Sequence, residues 1–365
     1  MSGYVLVRPF FLAKDLGILT SAAFKRYWRL MPPAAISVFA AYLLLRFHAF
    51  TAMSAEHITG SIWLENKWTF LPHLHDALYQ AFVGAFFNMD VPSYNPLLWT
   101  MTIEFLGSML IFAVAAIVGA KAKRWLVYAG LVVLFSRTYF LGFIVGLILA
   151  DYLSHPGTIA RIRIKEPYLI LLVGMGLLLG SYPSDLRPDL SPWYRHLIFF
   201  NFNSLELMIF WHTLGAAMVV GGLLVWTRAK QALSHPWLVK LGKMSFSLYL
   251  THMIILCSAG TAMFTAFYNH HFGYRDSFLL TCLLTGILIL GVSYLYTRWV
   301  DGPSIRYSRV VGKWLSSDGP MFKRGLAYEV GAAGAKLKPR YWKPMIAEWG
   351  SARLHLPWSN RSDKG

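Results

Sequence analysis

The chain is poor in charge. Asp, Glu, Lys and Arg make up only 14% of its 365 residues, against 56% hydrophobic ones. Acids are scarcest, 17 against 34 Lys and Arg. Soluble domains carry about 25% charged residues, so this composition, with a mean hydropathy of +0.47, excludes an ordinary water-soluble fold. The two cysteines, Cys257 and Cys282, both fall in apolar runs, which excludes a disulfide scaffold. Internal repeats, low-complexity tracts and insertions of soluble-domain length are all lacking. The opening residues, MSGYVLVRPFFL, lack a basic region followed by a long apolar core, so they do not read as a secretory signal. Too short to cross a bilayer and interrupted by Arg8–Pro9, they read as the back half of a span.

What is there is a series of apolar runs near bilayer length. They lie at about 33–47, 95–119, 125–136, 139–153, 168–182, 205–226, 245–267 and 278–299. The fold expected is all-α: a polytopic membrane helical bundle of about eight full spans plus a partial N-terminal one. It occupies residues 1–302, N-terminally incomplete, and a basic tail follows at 303–365. Residues 77–89 are apolar and aromatic but short, and read as an interfacial or re-entrant helix. Basic segments fall at 14–29, 121–124, 161–165, 228–243 and from 298 onward, while loops 48–76, 183–204 and 269–277 are neutral or slightly acidic. With eight spans every basic segment lies on one side, which the positive-inside rule makes cytoplasmic. The tail is then cytoplasmic, and Glu104 sits near the opposite mouth of its span. The formal charge of +17 is accounted for by these loops and by attraction to an anionic leaflet, with no nucleic acid required.

Within this apolar background a few polar residues stand out. Glu104, in NPLLWTMTIEFLGSML, costs roughly 2.5 kcal/mol or more inside a span. Such a carboxylate persists as an interhelical hydrogen bond or as a reactive or orienting group. Arg26 and Arg29, three apart, point the same way on a helix. They serve either as an interfacial anchor beside Trp28 or as a fork for phosphate oxygens. His252 lies inside a span, as a packing or a pathway residue. Loop 48–76 holds His48, His57, His73 and His75, but a metal site would need further converging ligands, and none is expected. Glycine patches at 142–146, 174–180 and 215–222 are spaced for close helix packing.

Five pieces occur in a fixed order: SGYVL from Ser2, RYWR at 26–29 with prolines after it, LWTMTIE with Trp99 and Glu104, SFSLYLTH ending at His252, and WVDGP at 299–303. Together they resemble the acyltransferase-3 family of integral-membrane acyltransferases. That resemblance implies about ten spans and transfer of an acyl group, commonly acetyl, from acyl-CoA to a hydroxyl of a sugar, lipid or small metabolite. It implies acyl-CoA as a donor substrate with no tightly bound cofactor, and a hydroxylated acceptor and the lipid bilayer as partners. Glu104 and His252 are then the catalytic candidates, Arg26 and Arg29 the donor-binding ones, and Trp99 a substrate-binding one. Two departures stand beside it. Asp301 occupies a position where the family more often has glutamate. The family's Arg-x10-His motif, regarded as catalytic, belongs to a span ahead of SGYVL. Arg46 and His57 share its spacing but follow the arginine pair. The expectation is that residues 1–365 alone do not turn over. Two other classes fit the same residues: an inactive family member acting as a binding protein, and a proton-coupled transporter using Glu104 and His252.

Overall fold

The computed structural model describes residues 2–315 except 62–63, 65–67, 89–92, 120, 163, 185–193, 195 and 199–201. The tail from 316 onward therefore lies outside the described residues. Among those described, all regular structure is helical. The principal helices are α1 Ser2–Ala13, α2 Leu16–Arg46, α3 Trp99–Val118, α4 Arg124–Phe135, α5 Leu141–Ser154, α6 Glu166–Gly180, α7 Ser204–Val225, α8 Pro236–Ile255, α9 Thr261–Asn269, α10 Tyr274–Tyr296 and α11 Gly302–Leu315.

Among the described residues five continuous helical runs are long and apolar enough to cross a membrane: Leu16–Arg46, Pro96–Val118, Ser204–Val225, Pro236–Asn269 and Tyr274–Gly312. The other apolar helices α1, α4, α5 and α6 have 12, 12, 14 and 15 residues, about 18–23 Å at 1.5 Å per residue. That is shorter than the roughly 30 Å of hydrocarbon in a bilayer. These apolar helices are consistent with a multi-pass membrane protein, with five candidate crossings among the described residues.

The first long helix begins earlier than the sequence suggests, at Leu16 and not at residue 33. Asp15 caps it, its carboxylate accepting from the Gly17 amide at 2.8 Å. Pro32 and Pro33 lie inside it, where two missing amides leave the Trp28 and Arg29 carbonyls without their usual donors. Ser304 of α11 supplies a replacement, its hydroxyl donating to the Arg29 carbonyl at 2.9 Å. Tyr296 of α10 donates to the Pro33 carbonyl one turn on. The proline pair thus fastens α2 to the α10–α11 run instead of ending the helix.

Two apolar cores flank α3. One gathers α2, α8 and the segment 74–87, with Val38, Phe86, Leu98 and Leu250 fully buried. The other gathers α1, α4 and α5 around Val7, Ile111, Tyr128 and Ile144. The segment 74–87 is a helix Leu74–Tyr79, a π turn Gln80–Gly84 and a last turn Ala85–Phe87, and it is not among the membrane-crossing runs. Three of the glycine patches do pack closely. A Cβ at Gly146 would lie 2.7 Å from the Tyr4 amide, and Cβ atoms at Gly176 and Gly215 would each lie within 2.8 Å of the other's carbonyl oxygen. Gly174 faces open space.

Candidate functional site

Asn95 sets the register. It is fully buried, its amide donating to Ser37 Oγ (3.1 Å) and the Leu250 carbonyl (2.9 Å) while its oxygen caps the Leu97 amide (3.2 Å). One side chain thereby ties α2, α8 and the start of α3. Tyr249 adds a second tie, its hydroxyl donating to the Leu97 carbonyl at 2.7 Å and meeting Thr100 Oγ1 at 2.6 Å. From this level α3 runs antiparallel to α2, and nine residues beyond Asn95 it brings Glu104 to Arg26.

Arg26 and Glu104 form an ion pair, Nη2 to Oε1. The second carboxylate oxygen accepts from Ser2 Oγ at 3.1 Å. Arg26 Nε donates to Ser108 Oγ at 3.0 Å, and Ser108 donates in turn to the Glu104 carbonyl at 2.6 Å. The side chains of the pair are 13% and 26% exposed, so their charges meet in a partly dehydrated setting. Arg29 Nη1 lies 2.6 Å from Asp301 Oδ1, and its guanidinium stands 5.2 Å from the centre of the Phe246 ring. Asp301 is buried and sits in a π turn, Thr297–Asp301, a local widening frequent at functional sites. Ser2, Arg26, Arg29, Glu104, Phe246 and Tyr249 line one cavity of about 470 Å³.

This arrangement corrects the expected depth of Glu104. The sequence reading put Glu104 near one mouth and the arginines at the other. The ion pair puts them level, because α2 continues through its prolines to Leu16 and because α3 begins well inside the Arg46 end. The two arginines do share a face, as their spacing requires, and each is matched by one carboxylate. Arginine has five N–H donors, so each keeps donors for a further acceptor.

The other sequence candidates are placed elsewhere. Trp99 and Glu104 stand on opposite faces of α3. Trp99 and Thr102 open onto a separate cavity of about 230 Å³ with Gln80, Asn88 and Ser93, and the indole packs edge-on against Tyr139. His252 lies three residues beyond Tyr249 on α8, outside the lining of the larger cavity. Its Nδ1 donates to the Leu248 carbonyl at 2.9 Å. Among the loop histidines, the backbone N–H and carbonyl of His73 both bond the Tyr94 hydroxyl at 2.9 Å. Burial pushes that phenol's pKa up. Among the described residues no group of three or more His, Cys, Asp or Glu converges on a metal position.

Sequence reasoning passed over Ser2, Ser108, Tyr249 and Asp301 as site residues. Asp301 carried a readable signal, an acid at the end of a long apolar run. It also passed over a second buried pair. Asp151, fully buried on α5, holds Arg124 in an ion pair and accepts from Tyr128 Oη at 3.3 Å.

A family model described as a protein of unknown function (DUF418) matches residues 160–304. The matched part contains Phe246, Tyr249, His252 and Asp301 and leaves out Arg26 and Glu104. No curated protein and no solved structure matches the chain.

Proposed function

We propose that the chain is a membrane-bound O-acyltransferase, or a close derivative of one, that moves an acyl group from acyl-CoA to a hydroxyl acceptor at the Arg26–Glu104 cavity. The observation that carries the reading is convergence. The five segments on which the resemblance to the acyltransferase-3 family rests are far apart in the chain. Four of them, through Ser2, the two arginines, Glu104 and Phe246 with Tyr249, line one cavity, and the fifth reaches it through Asp301.

In this reading the donor's phosphates take the guanidinium N–H groups left over from the ion pairs. Glu104, held by Arg26 and Ser2, orients the acceptor. The acceptor oxygen bonds to the thioester carbon, the C–S bond breaks, and the hydroxyl proton passes through a base to the leaving thiolate. His252, whose Nδ1 donates to the Leu248 carbonyl, is the candidate for such a base in this chain, beside the histidine of the family's Arg-x10-His motif. The same proposal counts eight spans, including the three short helices α4, α5 and α6 but not α1. It sets the basic segments and the tail on the cytoplasmic side, where acyl-CoA is found.

The test is coenzyme A affinity of the membrane-reconstituted chain, measured by titration calorimetry. The Arg26→Ala/Arg29→Ala variant should bind at least about 10-fold more weakly, and the double lysine variant should recover only part of the loss, because lysine lacks the fork. Unchanged affinity in a folded double alanine variant refutes the proposal.

A further inference from the structure

The helix α10 is built inside out. The residues it buries are Ser277, Thr281, Thr285 and Ser293, each bearing a hydroxyl. Its Leu279, Leu283 and Ile287 are more than half exposed. The four-residue spacing lays the hydroxyls in one stripe, which continues through Thr297 to Asp301 and is broken only at Ile289. From Ser277 to Asp301 the stripe is about 36 Å long at 1.5 Å per residue, enough to cross the hydrocarbon.

The stripe faces the α8–α9 run, and its two halves differ. Near Asp301 every hydroxyl is engaged: Thr297 Oγ1 donates to Ser247 Oγ at 2.8 Å, and Ser293 Oγ meets Thr251 Oγ1 at 3.0 Å. Beyond Ile289 the pattern fails. A threonine or serine in a membrane helix commonly donates to the carbonyl four residues back, as Thr251, Ser258, Thr261 and Thr297 do here. Thr265, Thr281 and Thr285 do not, although the Oγ1 of each is buried and has no partner. The contact of Gly260 with Thr285 and the Thr251–Ser293 bond fix an antiparallel register that sets Thr281 and Thr285 against α9. Close packing explains small residues at this seam. It does not explain the two orphaned hydroxyls of Thr281 and Thr285, which lack the partner that would offset their desolvation, where valine would fill the same volume. A buried polar spot with two to four such groups is the kind that holds water.

We propose that the α9–α10 seam is a hydrated inlet. Water enters from the exposed turn at 270–273, bonds Thr281 and Thr285, and is stopped at Ile289. Past that barrier the engaged hydroxyls lead to Asp301 and its partner Arg29. The inlet therefore hydrates the seam from the far end of α10 as far as Ile289. It stands whether or not the cavity transfers acyl groups.

The test uses the full chain in liposomes with Cys257 and Cys282 changed to serine. Single cysteines at 281, 285, 289 and the lipid-facing position 283 are treated with a charged methanethiosulfonate, which needs a hydrated thiolate. Thr281→Cys and Thr285→Cys should react at least about 10-fold faster than Leu283→Cys, since apolar burial suppresses the thiolate. Ile289→Cys should be as slow as Leu283→Cys. Equal rates at 281, 285 and 283, or a fast rate at 289, overturn the proposal. A second measurement needs no cysteine. In a dry seam, Thr281→Val/Thr285→Val removes orphaned hydroxyls and raises Tm, whereas in a hydrated one it displaces bound water and lowers Tm. An unchanged or raised Tm overturns the inlet.

Discussion

Replacing Glu104 by leucine leaves Arg26 as an uncompensated charge in a partly buried setting, and removing one partner of such a pair costs about 3–5 kcal/mol. The cavity lets in some solvent, so the lower end applies, about 3 kcal/mol. Arg26→Met orphans Glu104, whose second oxygen keeps Ser2, and the cost is again about 3 kcal/mol. The double variant removes both charges and replaces them with apolar groups of similar volume, so it should be no worse than either single one. The coupling energy is then at least about 3 kcal/mol, well above the roughly 0.6 kcal/mol average for hydrogen bonds between membrane helices. Glu104→Gln keeps the acceptor and loses only the charge assistance, about 1 kcal/mol. The assay is reversible unfolding of the purified protein in mixed micelles, followed by circular dichroism. Additive single losses, with a coupling at or below about 0.6 kcal/mol, would show that the contact is incidental and that the cavity does not depend on it.

The Asp151 pair should be the more costly to break. Asp151→Asn should lose about 3 kcal/mol or more in the same assay, because the carboxylate is fully buried and serves both Arg124 and Tyr128. Gly146→Val should cost about 1–3 kcal/mol by overpacking against the Tyr4 backbone. Gly142→Ala should be nearly silent, since the nearest atom to its Cβ is 4.0 Å away; equal losses at the two glycines would contradict the α1–α5 packing.

The membrane character was legible because it follows from composition, which needs no long-range information. The shared face of Arg26 and Arg29 was legible because three residues of helix fix it, and Gly146, Gly176 and Gly215 were legible as packing positions. The start of α2 was not. The apolar run starts only at residue 33, after the basic segment, and the hydroxyls of Ser304 and Tyr296, from far along the chain, bond the carbonyls around Pro32 and Pro33 as the helix passes through them. The partners of the arginines were hidden for the same reason, since one sequence carries no signal of which distant acid meets which base. Trp99 is a different case. At 100° per residue it cannot face the same side as Glu104, so its separation from the site was available to counting along α3. The count of spans rested on apolar run length, and α4, α5 and α6 show that an apolar run can form a helix too short to cross unaided.

The charge balance of the cavity leads to one more prediction, which rests on the proposed acyl transfer. The two arginines of the lining and the carboxylates paired with them, Glu104 and, outside the lining, Asp301, sum to no net charge, so an anionic donor is not drawn in by excess positive charge. It must compete, at Arg26, with Glu104. If Glu104 is such a competitor, Glu104→Gln should bind coenzyme A more tightly, by about 3- to 10-fold, since a neutral acceptor holds a guanidinium less strongly than a charged one. Joined to a span that carries the family's Arg-x10-His motif, the same variant should transfer acyl groups more slowly than its parent, because the displaced carboxylate is the group that orients the acceptor. Tighter binding with slower transfer is an unusual combination that a purely structural glutamate does not produce. A scaffold residue, when weakened, loosens Arg26 and weakens binding. Measuring coenzyme A affinity of Glu104→Gln beside the parent therefore separates the two roles by sign alone, and weaker binding in a folded variant would reject the competition.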